Sequence, residues 1–320
     1  MEQRFLGRSG LELSVLGFGA MTFGDGQAAG LGVTDLAGAR RQVDRCIDAG
    51  INLFDTADIY SRGRSEEILG EALGDKRSSV ILATKAFGAM GRGPHDHGLS
   101  RRHLIDACDA SLRRLGTDWI DLYQLHCHDA LVPIEETLRA LDGLVRQGKV
   151  RYVGNSNFPA WRIAEAELVG RAAGTVRFVS CQDEYSLLVR GIEKDLLPAA
   201  QHYNLGLLPF FPLASGLLTG KYQRGAAAPA DTRFAKMPAL RDRYVTPRNE
   251  DIVEKLDVFA KARGRTMLEL AFSWLASRPQ VSSVIAGATR VEQIEANVKA
   301  IDWALTSEDL AEIDTLTGAA

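Results

Sequence analysis

The chain has 320 residues, of which 46% are hydrophobic and 25% charged, and a formal net charge of −3. That balance excludes a strongly basic nucleic-acid or anionic-lipid binder, and no apolar run reaches the roughly 20 residues a bilayer-spanning helix needs. The opening MEQRFLGRSG lacks the apolar core of a signal peptide and the four cysteines, Cys46, Cys108, Cys127 and Cys181, form no C-x-x-C pair, so a cytoplasmic protein with reduced thiols is expected.

From the N-terminus, RFLGRSGLELSVLGFG predicts a small hairpin turning at Gly7 to Gly10 and leading into a strand. Eight short apolar runs follow along the chain: 14–19, 51–56, 80–85, 119–126, 150–156, 177–182, 206–211 and 282–287. Helical patterns separate them. Leu36, Val43 and Ile47 share a face that ends at Gly50. Ser100 is a candidate cap for a helix carrying Leu104, Ala107, Leu112 and Leu115, with Gly116 as its stop. Ile134, Leu138, Leu141 and Val145 repeat the pattern up to Gly148. Pro159 suits the first turn of the next helix, and Thr266 with Glu269 reads as a capping box.

Eight strands alternating with helices predict one closed (β/α)8 barrel, a TIM barrel with an N-terminal β-hairpin, spanning residues 1–320 as a single domain. Two aperiodic segments, 86–99 and 214–249, follow strands three and seven. Both are expected as long loops on the C-terminal face, where such barrels carry their sites.

Polar residues stand at the strand tips. Asp55 ends the second run and Tyr60 follows within one turn; Lys85 ends the third and His126 the fourth; Ser156 and Asn157 end the fifth, and Gln182 the sixth. Phenol, ammonium, carboxylate and imidazole together suit proton transfer to a carbonyl oxygen. A free phenol titrates near 10, and a close, poorly solvated Lys85 would lower that value, with Asp55 holding the lysine charged. His126 would orient the substrate oxygen. None of these groups supplies hydride, so a reduction needs a cofactor.

The segments LGFGAMTFG, NLFDTADIY, ILATK, DLYQLHCHD, VGNSNF, PLASGLLTGKY and VIAGATRVEQIEANV together resemble the aldo-keto reductase superfamily, in order and over about residues 4 to 300. The branch resembled includes bacterial reductases and potassium-channel β-subunits. The resemblance implies an NADP(H)-dependent oxidoreductase that reduces aldehydes or ketones or oxidises alcohols, with Tyr60 as general acid in a tetrad with Asp55, Lys85 and His126. It places Ser156, Asn157 and Gln182 on the nicotinamide carboxamide, Gly19 and Met21 near the nicotinamide ribose, and Phe210 against the ring. Leu213, Gly216, Leu218 and Lys221 match the stretch over the pyrophosphate. Gly287, Thr289, Arg290, Gln293 and Asn297 match the adenosine end, with Arg290 as the candidate for the 2′-phosphate. Two departures stand out: PFFPL where the pattern has AYSPL, and Ala296 where a glutamate precedes the asparagine. The second leaves NAD possible beside NADP.

Phe23, Phe87, His128 and Phe158 are candidates for the substrate pocket. Thr289 with Glu292 also reads as a capping box. Two other functions compete: a nicotinamide-binding regulatory module with little turnover, and a metal-dependent barrel hydrolase using the His126/His128 pair. The latter lacks strong ligands at the Asn and Gln tips, so no metal is expected. GFGAMT puts Thr22 at the third glycine of a dinucleotide fingerprint, and GLLTGKY misses the phosphate-loop spacing. Small-molecule substrate is the expected partner; self-association is left open.

Overall fold

The computed structural model describes residues 1–24, 33–230 and 232–318. Alternation along the strands sorts side chains into two sets. Strands β1 (Gln3–Phe5) and β2 (Glu12–Ser14) form the antiparallel hairpin. Eight parallel strands follow: β3 (Leu16–Gly19), β4 (Leu53–Asp55), β5 (Ile81–Ala86), β6 (Ile120–Leu125), β7 (Val150–Ser156), β8 (Ser180–Gln182), β9 (Gly206–Leu207) and β10 (Val284–Ala286). β10 pairs with β3. The gap to β9 is closed by hydrogen bonds from Leu207 N–H to Gln280 O (2.7 Å) and from Ile285 N–H to Pro209 O (2.9 Å). The result is the expected barrel.

Helices α1 (Leu36–Asp48), α2 (Arg64–Leu73), α3 (Arg101–Leu115), α4 (Ile134–Arg146), α5 (Ala160–Ala173) and α6 (Leu196–His202) connect successive strands. The connection from β9 to β10 carries α7 (Arg233–Lys236), α8 (Pro238–Tyr244), α9 (Pro247–Ala262) and α10 (Met267–Ala276). α11 (Val291–Ala300) and α12 (Ser307–Thr317) finish the chain. Ser100 caps α3, Gly116 ends it in the left-handed region, and Thr266 with Glu269 forms the expected box on α10.

Two details differ from expectation. The 214–249 segment is not one irregular loop, because α7, α8 and the start of α9 lie within it. α7 and α8 are too short to show a period, although Pro238 and Pro247 sit at the favoured first helical position of α8 and α9. On α11, Gln293 replaces the expected Thr289–Glu292 box: its Oε1 accepts from Thr289 N–H at 2.7 Å and Arg290 N–H at 3.3 Å.

The outward set, including Phe18, Phe54, Leu82, Tyr123 and Cys181, packs against the helices. The inward set begins with Leu53, Ala83, Leu122, Leu208 and Ile285, which Leu6 and Leu13 of the hairpin cover from below. Burying each of these leucines stabilises the floor by about 1.5–3 kcal/mol. One step further along each strand, the same alternation puts Asp55, Lys85, Gln124 and Gln182 inside the barrel.

Candidate active site

A buried polar layer lies directly above the apolar one. Lys85 Nζ donates to Asp55 Oδ1 at 2.5 Å and to the Thr56 carbonyl at 2.8 Å, and Lys85 is fully buried. The other Asp55 oxygen accepts from Gln124 Nε2 and Gln182 Nε2, both at 3.0 Å. An isolated ion pair at this depth is costly; the added donors satisfy its remaining lone pairs. Burial acts against the Lys85 charge, but Asp55 and then Tyr60 outweigh it and hold its pKa above the usual lysine range.

Tyr60 leaves the barrel wall on the turn after β4, with Lys85 Nζ 5.1 Å from its ring centre. His126, just past β6, meets the Tyr60 ring edge-on at 5.7 Å. The four expected residues therefore converge. The acidity of the phenol differs from expectation. Burial raises the Tyr60 pKa; the Lys85 charge and hydrogen bond pull it back without reversing the direction. Burial, then the Lys85 charge, push His126 down to about 3, so its imidazole is neutral near pH 7.

Asn157 adopts a left-handed backbone conformation at φ 55°, uncommon outside glycine. That turn directs its Nδ2 to the His126 carbonyl (3.1 Å) and the Ser156 hydroxyl (2.9 Å). Ser156 is buried, and the Phe210 side chain is half-buried. Gly19 and Gly287 adjoin across β3 and β10: a Cβ on Gly287 would lie 3.2 Å from the Gly19 carbonyl oxygen. Met21 follows in the turn Ala20–Thr22.

Leu213, Gly216 and Leu218 lie around the turn Ala214–Thr219, where Gly216 has φ 104°. Leu218 is fully buried, so its side chain is closed to a ligand. Lys221 follows, its pKa lowered by burial and by the charges of Arg233 and Arg290. Arg233 was not among the expected site residues. It is lowered chiefly by burial, with Tyr222 and Tyr244 opposing. Thr289, Arg290 and Gln293 cluster at the start of α11, and Asn297 is buried on its inner face.

The pocket expectations divide. Phe23 and Phe158 are 0% and 1% exposed and cannot touch a substrate; Phe23 packs on Phe18, and Phe158 on Phe178. Phe87 and His128 remain partly exposed. His128 turns to Trp161 at 6.1 Å, an aromatic 61% exposed that sequence reading missed. Gln124 was missed as well, although it stands two residues before His126 and shares its face. Among the described residues, no three His, Cys, Asp or Glu side chains converge as metal ligands.

A family model described as Aldo/keto reductase family matches residues 15–317. The chain belongs to that family. Similar proteins include a probable voltage-gated potassium channel subunit beta of Oryza sativa subsp. japonica, 41% identical, with 94% of this chain and 92% of that protein aligned. An L-glyceraldehyde 3-phosphate reductase of Escherichia coli (strain K12) is 35% identical over 98% of this chain and 92% of its own length. An uncharacterized oxidoreductase of Bacillus subtilis (strain 168), YrpG, is 36% identical over 99% of this chain and 96% of its own. The aldo/keto reductase membership and these reductase-named relatives support an oxidoreductase role. Among the described residues of this aldo/keto reductase, no helix is long and apolar enough to cross a membrane.

Proposed function

We propose that this aldo/keto reductase is an NADP(H)-dependent enzyme that reduces small aldehydes or ketones to alcohols, or catalyses the reverse, with Tyr60 as general acid. The convergence of Tyr60 with the Asp55–Lys85 pair and a neutral His126 at one barrel mouth carries the reading.

The side chains fit the cofactor chemically. Arg233 and Arg290 both lie near enough to Lys221 for their charges to lower its pKa, a local excess of positive charge that suits a dinucleotide's pyrophosphate and 2′-phosphate. Gln182 gives its Nε2 to Asp55, which leaves its Oε1 to accept from the carboxamide amino group. Ser156 and Asn157 complete that contact, and Phe210 offers a π-face to the ring. When bound, the nicotinamide supplies the hydride.

The protein's own part is proton delivery. Tyr60 is protonated at neutral pH, so the acid is loaded for reduction. His126 donates its N–H to the substrate carbonyl and aligns it. As negative charge grows on that oxygen, Tyr60 passes its proton across, and the adjacent Lys85 ammonium stabilises the phenolate left behind. Asp55, itself held by Gln124 and Gln182, keeps the ammonium in place.

Turnover of simple aldehydes with NADPH, compared between wild type and Tyr60→Phe, tests this. The variant should lose about 10²–10⁴ in kcat and keep its NADPH affinity. Unchanged turnover would refute the assignment. A nicotinamide-responsive binding module is the second reading, favoured by the likeness to proteins named as channel subunits; it requires near-absent turnover in the wild type across a broad carbonyl panel.

A further inference from the structure

Asp58 lies on the turn between β4 and Tyr60. Its side chain is 0% exposed, and neither carboxylate oxygen has a hydrogen-bond partner among the described residues. Its backbone N–H donates to the Lys85 carbonyl at 3.1 Å, which fixes it behind the Tyr60–Lys85 couple. The ionisable groups facing it are Tyr60 on its own turn, Glu66 from α2, Lys85 from β5, Arg114 from α3 and Tyr123 from β6.

The two cations in this set are already engaged: Lys85 pairs with Asp55 at 2.5 Å and Arg114 with Glu66 at 2.6 Å. Thr84 takes the second Glu66 oxygen at 2.5 Å. Each cation thus has its own carboxylate, and Asp58 is the surplus acid of the group. With no cation of its own and the Ile59 backbone N–H the largest influence favouring its charge, a carboxylate buried this deeply favours its neutral form.

We propose that Asp58 is a positioning residue for the proton transfer, whose own charge raises the pH at which Tyr60 gives up its proton. The inference rests on Tyr60 being the general acid. Burial foremost, and then the Glu66 charge, raise the Asp58 carboxyl to about 7. Below that pH it is neutral and does not affect the phenol. Above it the carboxylate is an added negative charge that makes Tyr60 hold its proton more tightly.

The test is the pH dependence of kcat for carbonyl reduction and alcohol oxidation, at saturating cofactor, in wild type, Asp58→Asn, Asp58→Ala and Tyr60→Phe. In both Asp58 variants, the limb reporting the Tyr60 proton should move down by about one pH unit, with NADPH affinity unchanged and Tyr60→Phe inactive throughout. Superimposed limbs, with Tyr60→Phe inactive, would overturn the role of Asp58 alone. Turnover by Tyr60→Phe would overturn both readings. Should the Asp58 variants not fold, infrared difference spectra decide the matter. In an Asp183→Asn background, which removes a second buried acid whose carboxyl burial also raises to about 7, a protonated-carboxyl band should disappear between pH 5 and pH 9. A spectrum without it would sink the inference.

Discussion

Lys85 Nζ stands 5.1 Å from the centre of the Tyr60 ring, while its shortest contact, 2.5 Å, is to Asp55. The lysine is anchored from one side and presents its charge to the other. Lys85→Met should therefore have two separable effects. Loss of the charge should lower kcat by about 10²–10⁴ and shift the Tyr60 limb of the pH profile upward. Leaving Asp55 buried and unpaired should also cost about 3–5 kcal/mol of stability. The double variant Asp55→Asn/Lys85→Met should recover part of the melting temperature and none of the turnover, measured by thermal denaturation and steady-state kinetics.

The cation cluster separates by function. Arg290→Ala should weaken NADPH binding by about 10–100-fold and NADH binding little, if its guanidinium meets the 2′-phosphate. Arg233→Ala should weaken both dinucleotides alike if it meets the pyrophosphate. Fluorescence titration with each cofactor distinguishes these outcomes.

Asp183 is a buried acid with an unpartnered oxygen, raised to about 7 by burial, with the Asn157 backbone opposing. Its native pKa lies above its unfolded one, so ionisation opposes folding. The penalty is absent below about pH 4, grows as pH rises, and is complete above about pH 7. Asp183→Asn should thus stabilise the protein at pH 8 by about 1–3 kcal/mol, with the gain fading toward pH 4. Denaturant melts at both pH values check this.

Glu167 on α5 binds Arg8 of the hairpin turn at 2.6 Å, Arg171 at 2.6 Å and Arg177 at 2.8 Å. Burial opposes its charge, but the three arginines hold its carboxyl down to about 2. Its contribution is complete above the unfolded pKa and is lost as pH falls toward 2. Glu167→Gln should cost about 2–4 kcal/mol at pH 7, seen as a lower denaturation midpoint.

Much of this arrangement is legible in the sequence, because a barrel makes strand order and side-chain alternation sufficient to aim residues. NLFDT places Asp55 on the face of Leu53, and LYQLH places Gln124 with His126. Gln124 still escaped notice, since an amide within a strand shows its purpose only once the opposing Asp55 is in place. Phe23 and Phe158 were misread because an apolar residue after a strand tip suits rim and core equally. The direction of the Tyr60 pKa was also hidden: it depends on how far burial exceeds one lysine charge, a balance of distances and not of residue types.

Leu6 and Leu13 seal the barrel beneath Lys85. Under the proposed function, NADPH and substrate would share the opposite, polar end of the barrel, where Tyr60 and His126 meet. On that reading the replacement proton for Tyr60 would come through the space the product vacates, so recharging the acid would follow product departure, and one catalytic cycle would end where the next begins.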